Sequence, residues 1–213
     1  MVHILVVLTK CSDPNHRGRS KKKEDAMIQE YLTTPILLLL IFNIGMFILS
    51  FVVFKKDANR AKFFSFPAII QKLYVVLLIG PICVIPVLEQ PRFAGSTDLP
   101  VYVGLVMSCL SVMFWAAAFS KIGVIPSVRE KKGLVTGGIY GFVRNPIYTG
   151  NIFIAFGSAL IFKSIVALMY APFVALFFGI ICLLEEKVLS IDYGNEYAEY
   201  KRNVKYRLIP FVF

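Results

Sequence analysis

Histidine is almost absent from this sequence. The two histidines, His3 and His16, both lie near the amino terminus, so no Ser/His/Asp or Cys/His catalytic set is predicted in the rest of the chain. The four cysteines show no paired CxxC spacing, and the sequence therefore predicts neither a disulfide framework nor a metal site.

Charged residues are also scarce. They make up 17% of the sequence, whereas hydrophobic residues make up 57%, a balance more apolar than that of most water-soluble domains. No polar segment is long enough to bury a core of its own, and no internal repeat is visible. We therefore predict an all-α integral membrane protein.

The apolar residues fall into segments that predict about five transmembrane helices. Segments 35–54, 99–120 and 165–184 each reach the roughly 20 residues that cross a bilayer and contain no charged side chain. Segment 73–88 contains two prolines and is predicted to be a kinked span whose first turn extends back through Ala68. Segment 147–162 is separated from the next span by two residues, which predicts a helical hairpin of spans 4 and 5.

Basic residues indicate the orientation of these spans. Segments 55–72, 121–144 and 186–213 contain five Lys or Arg each, and the positive-inside rule places such segments in the cytoplasm. The basic cluster within residues 1–30 favours the opposite orientation. We interpret residues 1–30 as a polar basic tail and residues 31–213 as a single transmembrane domain. The net charge of +10 is attributed to topology and to contacts with membrane lipids, so no nucleic-acid partner is predicted.

Two polar groups lie where the chain meets the membrane surface, and ionisable groups there are candidates for function. The first is a glycine-rich stretch from Gly133 to Gly150, whose backbone can approach a ligand closely. The second is the pair Glu185 and Glu186, directly after the last span. Each group also has an ordinary explanation: turn glycines, a solvated helix end, and interfacial tyrosines at Tyr140 and Tyr148.

The order of these groups along the chain resembles the isoprenylcysteine carboxyl methyltransferase family, and more loosely the phospholipid N-methyltransferases. The resemblance covers residues 132–210, and the first two spans match no motif. It is carried by Leu134-Val135, Gly138-Ile139-Tyr140, Arg144-Asn145-Pro146-Ile147-Tyr148-Thr149-Gly150, Glu185-Glu186, the tyrosine-rich stretch from Tyr193 to Tyr200, Val204 and Pro210.

The resemblance implies a membrane-embedded fold that binds S-adenosylmethionine from the cytoplasmic side. By position, Asn145, Pro146 and Tyr148 match the family's His-Pro-x-Tyr cofactor segment, and Glu185 matches its cofactor-binding glutamate. The predicted cofactor-binding residues are Leu134, Val135, Gly138, Ile139, Tyr140, Arg144, Asn145, Pro146, Tyr148 and Glu185. A multi-pass protein of this type is expected in the endoplasmic reticulum of a eukaryote or the inner membrane of a prokaryote.

The sequence departs from this pattern at two positions. Asn145 replaces the family's histidine, as in the phospholipid enzymes, and still offers a donor and an acceptor. Ile181 stands where the isoprenylcysteine enzymes have an arginine that binds the acceptor. A prenylcysteine carboxylate, a phospholipid amine and a small thiol therefore all remain possible acceptors.

Methyl transfer from a sulfonium is an in-line displacement, and the enzyme contributes mainly by orienting the reactants, which is worth roughly 7–11 kcal/mol. Few catalytic side chains are needed. A carboxylate such as Glu185 suits the ammonium or ribose hydroxyls of the cofactor, and the backbone near Leu134 suits its adenine edge. An amine acceptor would require a base, for which Tyr148 and Glu186 are the candidates.

A lipid-like acceptor is predicted because the polar site adjoins short spans. Small residues in segment 147–162 permit either close helix contact or a lateral gap. They are Gly150, Ala155, Gly157, Ser158 and Ala159.

Two other functions are compatible with the sequence. One is an NADPH-dependent membrane reductase of the sterol type, whose carboxyl end has a similar arginine, proline and tyrosine motif. The other is a non-enzymatic membrane scaffold. Binding of NADPH, of S-adenosylmethionine or of neither cofactor separates the three hypotheses.

Overall fold

Six α-helices make up most of the computed structural model, which describes residues 35–94, 97–122 and 133–209. Two 3-10 turns, Ile85–Val87 and Gly138–Gly141, accompany them, and no β-strand occurs within the described ranges. The all-α prediction is confirmed, whereas the predicted tail at residues 1–30 lies outside the described residues. The helices are α1 (Pro35–Lys55), α2 (Asp57–Ser65), α3 (Ala68–Val84), α4 (Leu99–Ile122), α5 (Pro146–Ile161) and α6 (Ile165–Asn203).

Four of these helices are long and apolar enough to cross a membrane: α1, α3 with its following 3-10 turn, α4 and α6. Helix α5 is apolar but has only 16 residues, which corresponds to about 24 Å, less than the roughly 30 Å of a hydrocarbon core. Large apolar side chains such as Ile48, Val76 and Val106 point outward from the long helices, as lipid-facing residues do. The chain is a multi-pass membrane protein.

The predicted hairpin is formed by α5 and α6, which are joined by Phe162, Lys163 and Ser164. Lys163 turns the chain with a positive φ of 50°. Ser164 caps α6 by accepting a hydrogen bond from the backbone N–H of Ala167 at 3.0 Å, a contact worth about 1 kcal/mol. This short connection fixes where α6 begins and therefore where its polar end lies.

Helices α4 and α5 are in close contact through glycines. A Cβ atom at Gly157 would lie 2.6 Å from the Ser108 hydroxyl, and one at Gly150 would lie 2.6 Å from Trp115 Nε1. The Trp115 indole also donates to the Asn151 side chain at 3.0 Å. The small residues of this segment were predicted to permit either close helix contact or a lateral gap. At Gly150 and Gly157 the structure shows close helix contact.

Gly104 tests this contact. A Cβ atom there would lie 2.6 Å from the Gly157 carbonyl oxygen and 2.8 Å from the Ile161 nitrogen, both of them backbone atoms. Gly104→Ala is therefore expected to lower the free energy of unfolding by ~1–3 kcal/mol, measured as the thermal midpoint in detergent. Gly45→Ala is the matched control, since a Cβ atom added at Gly45 would have no atom from another part of the structure within 4 Å. An equal loss in both variants would contradict the packing argument.

A buried asparagine ties α1 and α3 to the helix that carries the two glutamates. Asn43 donates to the Leu78 carbonyl at 2.7 Å and accepts from the Tyr170 hydroxyl at 2.6 Å. Beside it, the rings of Phe47 and Phe177 stack at 3.8 Å between centroids. Hydrogen bonds between helices contribute to association where lipid surrounds the bundle, and these contacts hold α1 and α3 against α6.

Candidate functional site

The glycine-rich segment ends against the segment that follows α6. The backbone N–H of Arg144 donates to the Tyr206 carbonyl at 3.0 Å, and that of Asn145 donates to the Arg207 carbonyl at 3.1 Å. The Asn145 side-chain amide donates to the same Arg207 carbonyl at 3.2 Å. Asn145, which stands at the position of the family's histidine, therefore anchors residues 204–209. It does so directly before α5 begins at Pro146.

The 3-10 turn Gly138–Gly141 is held by α4 and α6. Gly138 has a φ of 65°, which favours glycine, and the Lys121 side chain lies against it. The Tyr200 hydroxyl donates to the Tyr140 carbonyl at 2.7 Å. Leu134 packs against the buried cluster that contains Tyr200, so the end of α6 supports both parts of the predicted cofactor loop.

Glu185 is the centre of one polar cluster. It is half-buried, and the Tyr148 hydroxyl lies within hydrogen-bonding reach of its carboxylate. The Tyr148 ring stacks on Phe178 with 5.4 Å between centroids, which fixes the direction of the hydroxyl. Tyr140 and Arg60 lie close enough to interact electrostatically with Glu185.

Tyr140 remains a neutral phenol in this cluster. Burial raises its pKa above the ordinary value, and the nearby carboxylate of Glu185 raises the pKa further. A neutral phenol can donate a hydrogen bond at physiological pH. Tyr140 can therefore act as a donor to a polar ligand beside Glu185.

Glu186 is the centre of a second, closed cluster. Its Oε1 accepts from Arg144 Nε at 2.8 Å and its Oε2 accepts from Arg207 Nε at 2.9 Å. Arg144 also donates to the Val204 carbonyl at 2.7 Å. The side chains of Arg144 and Glu186 are 7% and 8% exposed. This network joins α6, the loop before α5 and residues 204–209.

The two adjacent glutamates therefore have different environments. Consecutive helical residues point about 100° apart, so Glu185 faces the tyrosines while Glu186 faces two arginines. Both carboxylate oxygens of Glu186 are engaged by arginine side chains. This geometry favours a structural role for Glu186 over the predicted role of base, and Tyr148, in contact with Glu185, is the remaining candidate.

Comparisons with known proteins find similarity to methyltransferases. The family model described as phospholipid methyltransferase matches residues 99–196, a range that contains every predicted cofactor-binding residue. Protein-S-isoprenylcysteine O-methyltransferase of Schizosaccharomyces pombe is 30% identical over 130 residues, which cover 57% of this chain and 55% of that protein. Protein-S-isoprenylcysteine O-methyltransferase A of Arabidopsis thaliana is 26% identical over 190 residues, which cover 85% and 93%.

This chain is similar to isoprenylcysteine O-methyltransferases and to the phospholipid methyltransferase family. It spans about half the length of the fission-yeast relative and most of the plant relative. No solved structure matches it. These matches do not favour the reductase and scaffold hypotheses.

Within the isoprenylcysteine carboxyl methyltransferase pattern, the structure brings Tyr140, Tyr148 and Glu185 together. Leu134 packs against the cluster that contains Tyr200. Arg144 and Asn145 donate hydrogen bonds to backbone carbonyls within residues 204–209. Val135 and Ile139 are half-buried and Gly138 is exposed along the same loop. The cofactor assignments of all these residues remain predictions.

Two arginines at the site were not predicted from the sequence. Arg207 lies inside the resembling segment, but the resemblance there is carried by Val204 and Pro210 and not by Arg207. Arg60 lies on α2, in a part of the chain that matches no motif of the family. Neither has a local sequence signal, because each reaches the site through contacts with residues far away in the chain.

Proposed function

We propose that this chain transfers the methyl group of S-adenosylmethionine to the carboxylate of a prenylated cysteine. The observation that supports this function is the contrast between the two glutamates. Glu185 is half-buried beside Tyr140 and Tyr148, whereas both carboxylate oxygens of Glu186 are paired with Arg144 and Arg207.

Glu185 suits the donor because a carboxylate can accept charge-assisted hydrogen bonds from the ammonium of an amino acid or from ribose hydroxyls. The neutral Tyr140 phenol adds a hydrogen-bond donor. Both lie next to the loop whose backbone is held by Tyr200. The residues present therefore fit S-adenosylmethionine, which supplies a methyl group on a positively charged sulfur.

A carboxylate acceptor fits the site better than an amine. One carboxylate oxygen attacks the methyl carbon, the carbon–sulfur bond breaks with its electron pair passing to sulfur, and a methyl ester forms without release of a proton. An amine must lose a proton during the reaction, and Glu186 is committed to two arginines. The names of the two relatives, both isoprenylcysteine O-methyltransferases, support the same acceptor.

The active site is proposed to face the cytoplasm, in the endoplasmic reticulum or a prokaryotic inner membrane. Support comes from three basic segments that meet at the site. Arg60 belongs to segment 55–72, Tyr140 and Arg144 belong to segment 121–144, and Arg207 belongs to segment 186–213. Segments on one face with many basic residues are typical of the cytoplasmic side.

Purified protein in detergent is expected to methylate N-acetyl-S-farnesylcysteine. With methyl-labelled S-adenosylmethionine, the label should appear in a base-labile ester that releases methanol on alkaline treatment. The farnesylcysteine methyl ester is the matched control, because it lacks a free carboxylate. Base-stable label in vesicles that contain phosphatidylethanolamine, without ester formation, would contradict the proposed acceptor and indicate a phospholipid amine.

A further inference from the structure

The Arg60 side chain is largely buried, and only one of its two terminal nitrogens is seen to pair with a carboxylate. Its side chain is 19% exposed, and Nη2 forms an ion pair with Asp57 at 3.1 Å, one turn earlier on α2. Nη1 is buried and has no hydrogen-bond partner among the described residues. A buried donor without a partner costs about 1–3 kcal/mol, or more in a charged group, so this N–H requires an explanation.

The surroundings of Arg60 place it at the proposed site. Its charge interacts with Glu185, which the Tyr148 hydroxyl contacts. Helix α2 packs against α3 through Phe63. The centroid of its ring lies 4.9 Å from that of Tyr74 in an edge-on arrangement. Tyr74 in turn lies near Tyr148. The charged groups that interact with Arg60 include Asp57 and Glu185.

On the α6 side of this cluster, the position that the resemblance assigns to an arginine is apolar. Ile181, one turn before Glu185 on α6, is apolar and 3% exposed, although the family places an acceptor-binding arginine at this position. An anionic acceptor beside Glu185 would meet a carboxylate without the arginine that the resemblance places at position 181. Arg60 approaches from α2 and has an unused donor for such an anion.

We propose that Arg60 binds the carboxylate of the acceptor. This inference rests on the proposed function. Nη1 donates to one carboxylate oxygen, while Asp57 holds the other side of the guanidinium and fixes its direction. The second carboxylate oxygen keeps its lone pairs for attack on the methyl group. A guanidinium suits this task because its donors have a fixed geometry.

Steady-state kinetics of Arg60→Gln test the proposal. The KM for N-acetyl-S-farnesylcysteine is expected to rise roughly 10- to 100-fold, the size of a lost charged hydrogen bond. The Kd of S-adenosylmethionine, measured by calorimetry, should change less than about twofold. Lys62→Gln is the matched control, because Lys62 is exposed on the same helix and its loss removes the same charge. It should change neither constant.

An inhibitor pair tests the charge requirement separately from the acceptor KM. In the wild type, a farnesylcysteine sulfonate is expected to inhibit at least about tenfold more strongly than the carboxamide, since only the sulfonate is an anion. The difference should disappear in Arg60→Gln and persist in part in Arg60→Lys, which retains the charge. Thermal midpoints in detergent show whether each variant is folded.

Three outcomes would overturn the assignment of Arg60. One is an unchanged acceptor KM in a folded Arg60→Gln variant. Another is a donor Kd that weakens as much as the acceptor KM, which would make Arg60 a counter-ion for Glu185 at the donor. The third is equal inhibition by sulfonate and carboxamide in the wild type. If the wild type forms no ester at all, the proposed function itself fails, and that result is distinct from these three.

Discussion

Glu185→Gln is expected to weaken binding of S-adenosylmethionine roughly 10- to 100-fold, because hydrogen bonds to a charged group contribute about 1.5–3 kcal/mol. The substitution retains the shape of the side chain and its contact with Tyr148 but removes the charge that would face the donor's ammonium. Isothermal titration calorimetry of the purified protein in detergent measures the change directly. Tyr148 and Phe178 should keep α5 and α6 packed, so a loss of affinity would not reflect unfolding.

Glu196→Gln is the matched control for this prediction. Glu196 lies beyond the kink at Gly194 in α6 and is exposed, so its substitution should leave affinity for the donor unchanged. Equal affinity in wild type and Glu185→Gln would remove Glu185 from the donor site. In that case the cluster of Tyr140, Tyr148 and Arg60 around it would need another ligand.

The transmembrane helices were the part of the fold most accessible from sequence. Uncharged runs of about 20 residues decide helix formation in a membrane, because every backbone polar group must be satisfied within the segment. Helices α1, α3 and α4 follow these runs closely, whereas α6 continues beyond its run to Asn203. Helix α5 is shorter, and its place in the bundle depends on contacts with α4 through Gly150 and Gly157, which hydropathy does not describe.

The candidate site was only partly predictable. The spacing of Tyr140, Tyr148 and Glu185 along the chain indicated residues that the structure does bring together. The difference between Glu185 and Glu186 was not visible, since both follow the same apolar run. It depends on Arg207, which reaches Glu186 through the turn after α6.

The role proposed for the short helix α2 was also not predictable from its sequence. Its nine residues combine polar and aromatic side chains and match no motif, so the sequence predicts no function there. Its position follows from aromatic contacts of Phe63 with Tyr74 and with Phe54. Arg60 is therefore brought to Glu185 by packing between helices and not by any pattern within α2.

Breaking the ion network at Glu186 is expected to cause the largest loss of stability. Glu186→Leu leaves the guanidinium of Arg144 buried without its carboxylate, and removing one partner of a buried ion pair costs ~3–5 kcal/mol. The loop before α5 and residues 204–209 should loosen together, because Arg144 joins both. The thermal midpoint in detergent and protease sensitivity after α6 report the change.

The double variant Arg144→Met/Glu186→Leu should recover part of this loss, since an apolar pair replaces two buried charges. Asp98→Asn is the control: the Asp98–Lys163 pair is largely exposed, and such pairs contribute about 0–1 kcal/mol. The same variants distinguish a structural glutamate from a base. If Glu186→Leu keeps its full thermal midpoint and donor affinity but loses turnover, Glu186 acts in catalysis as the sequence first suggested. If stability falls and the double variant regains it, the two arginines hold Glu186 as a structural anchor, and the site is left with a single carboxylate for the donor.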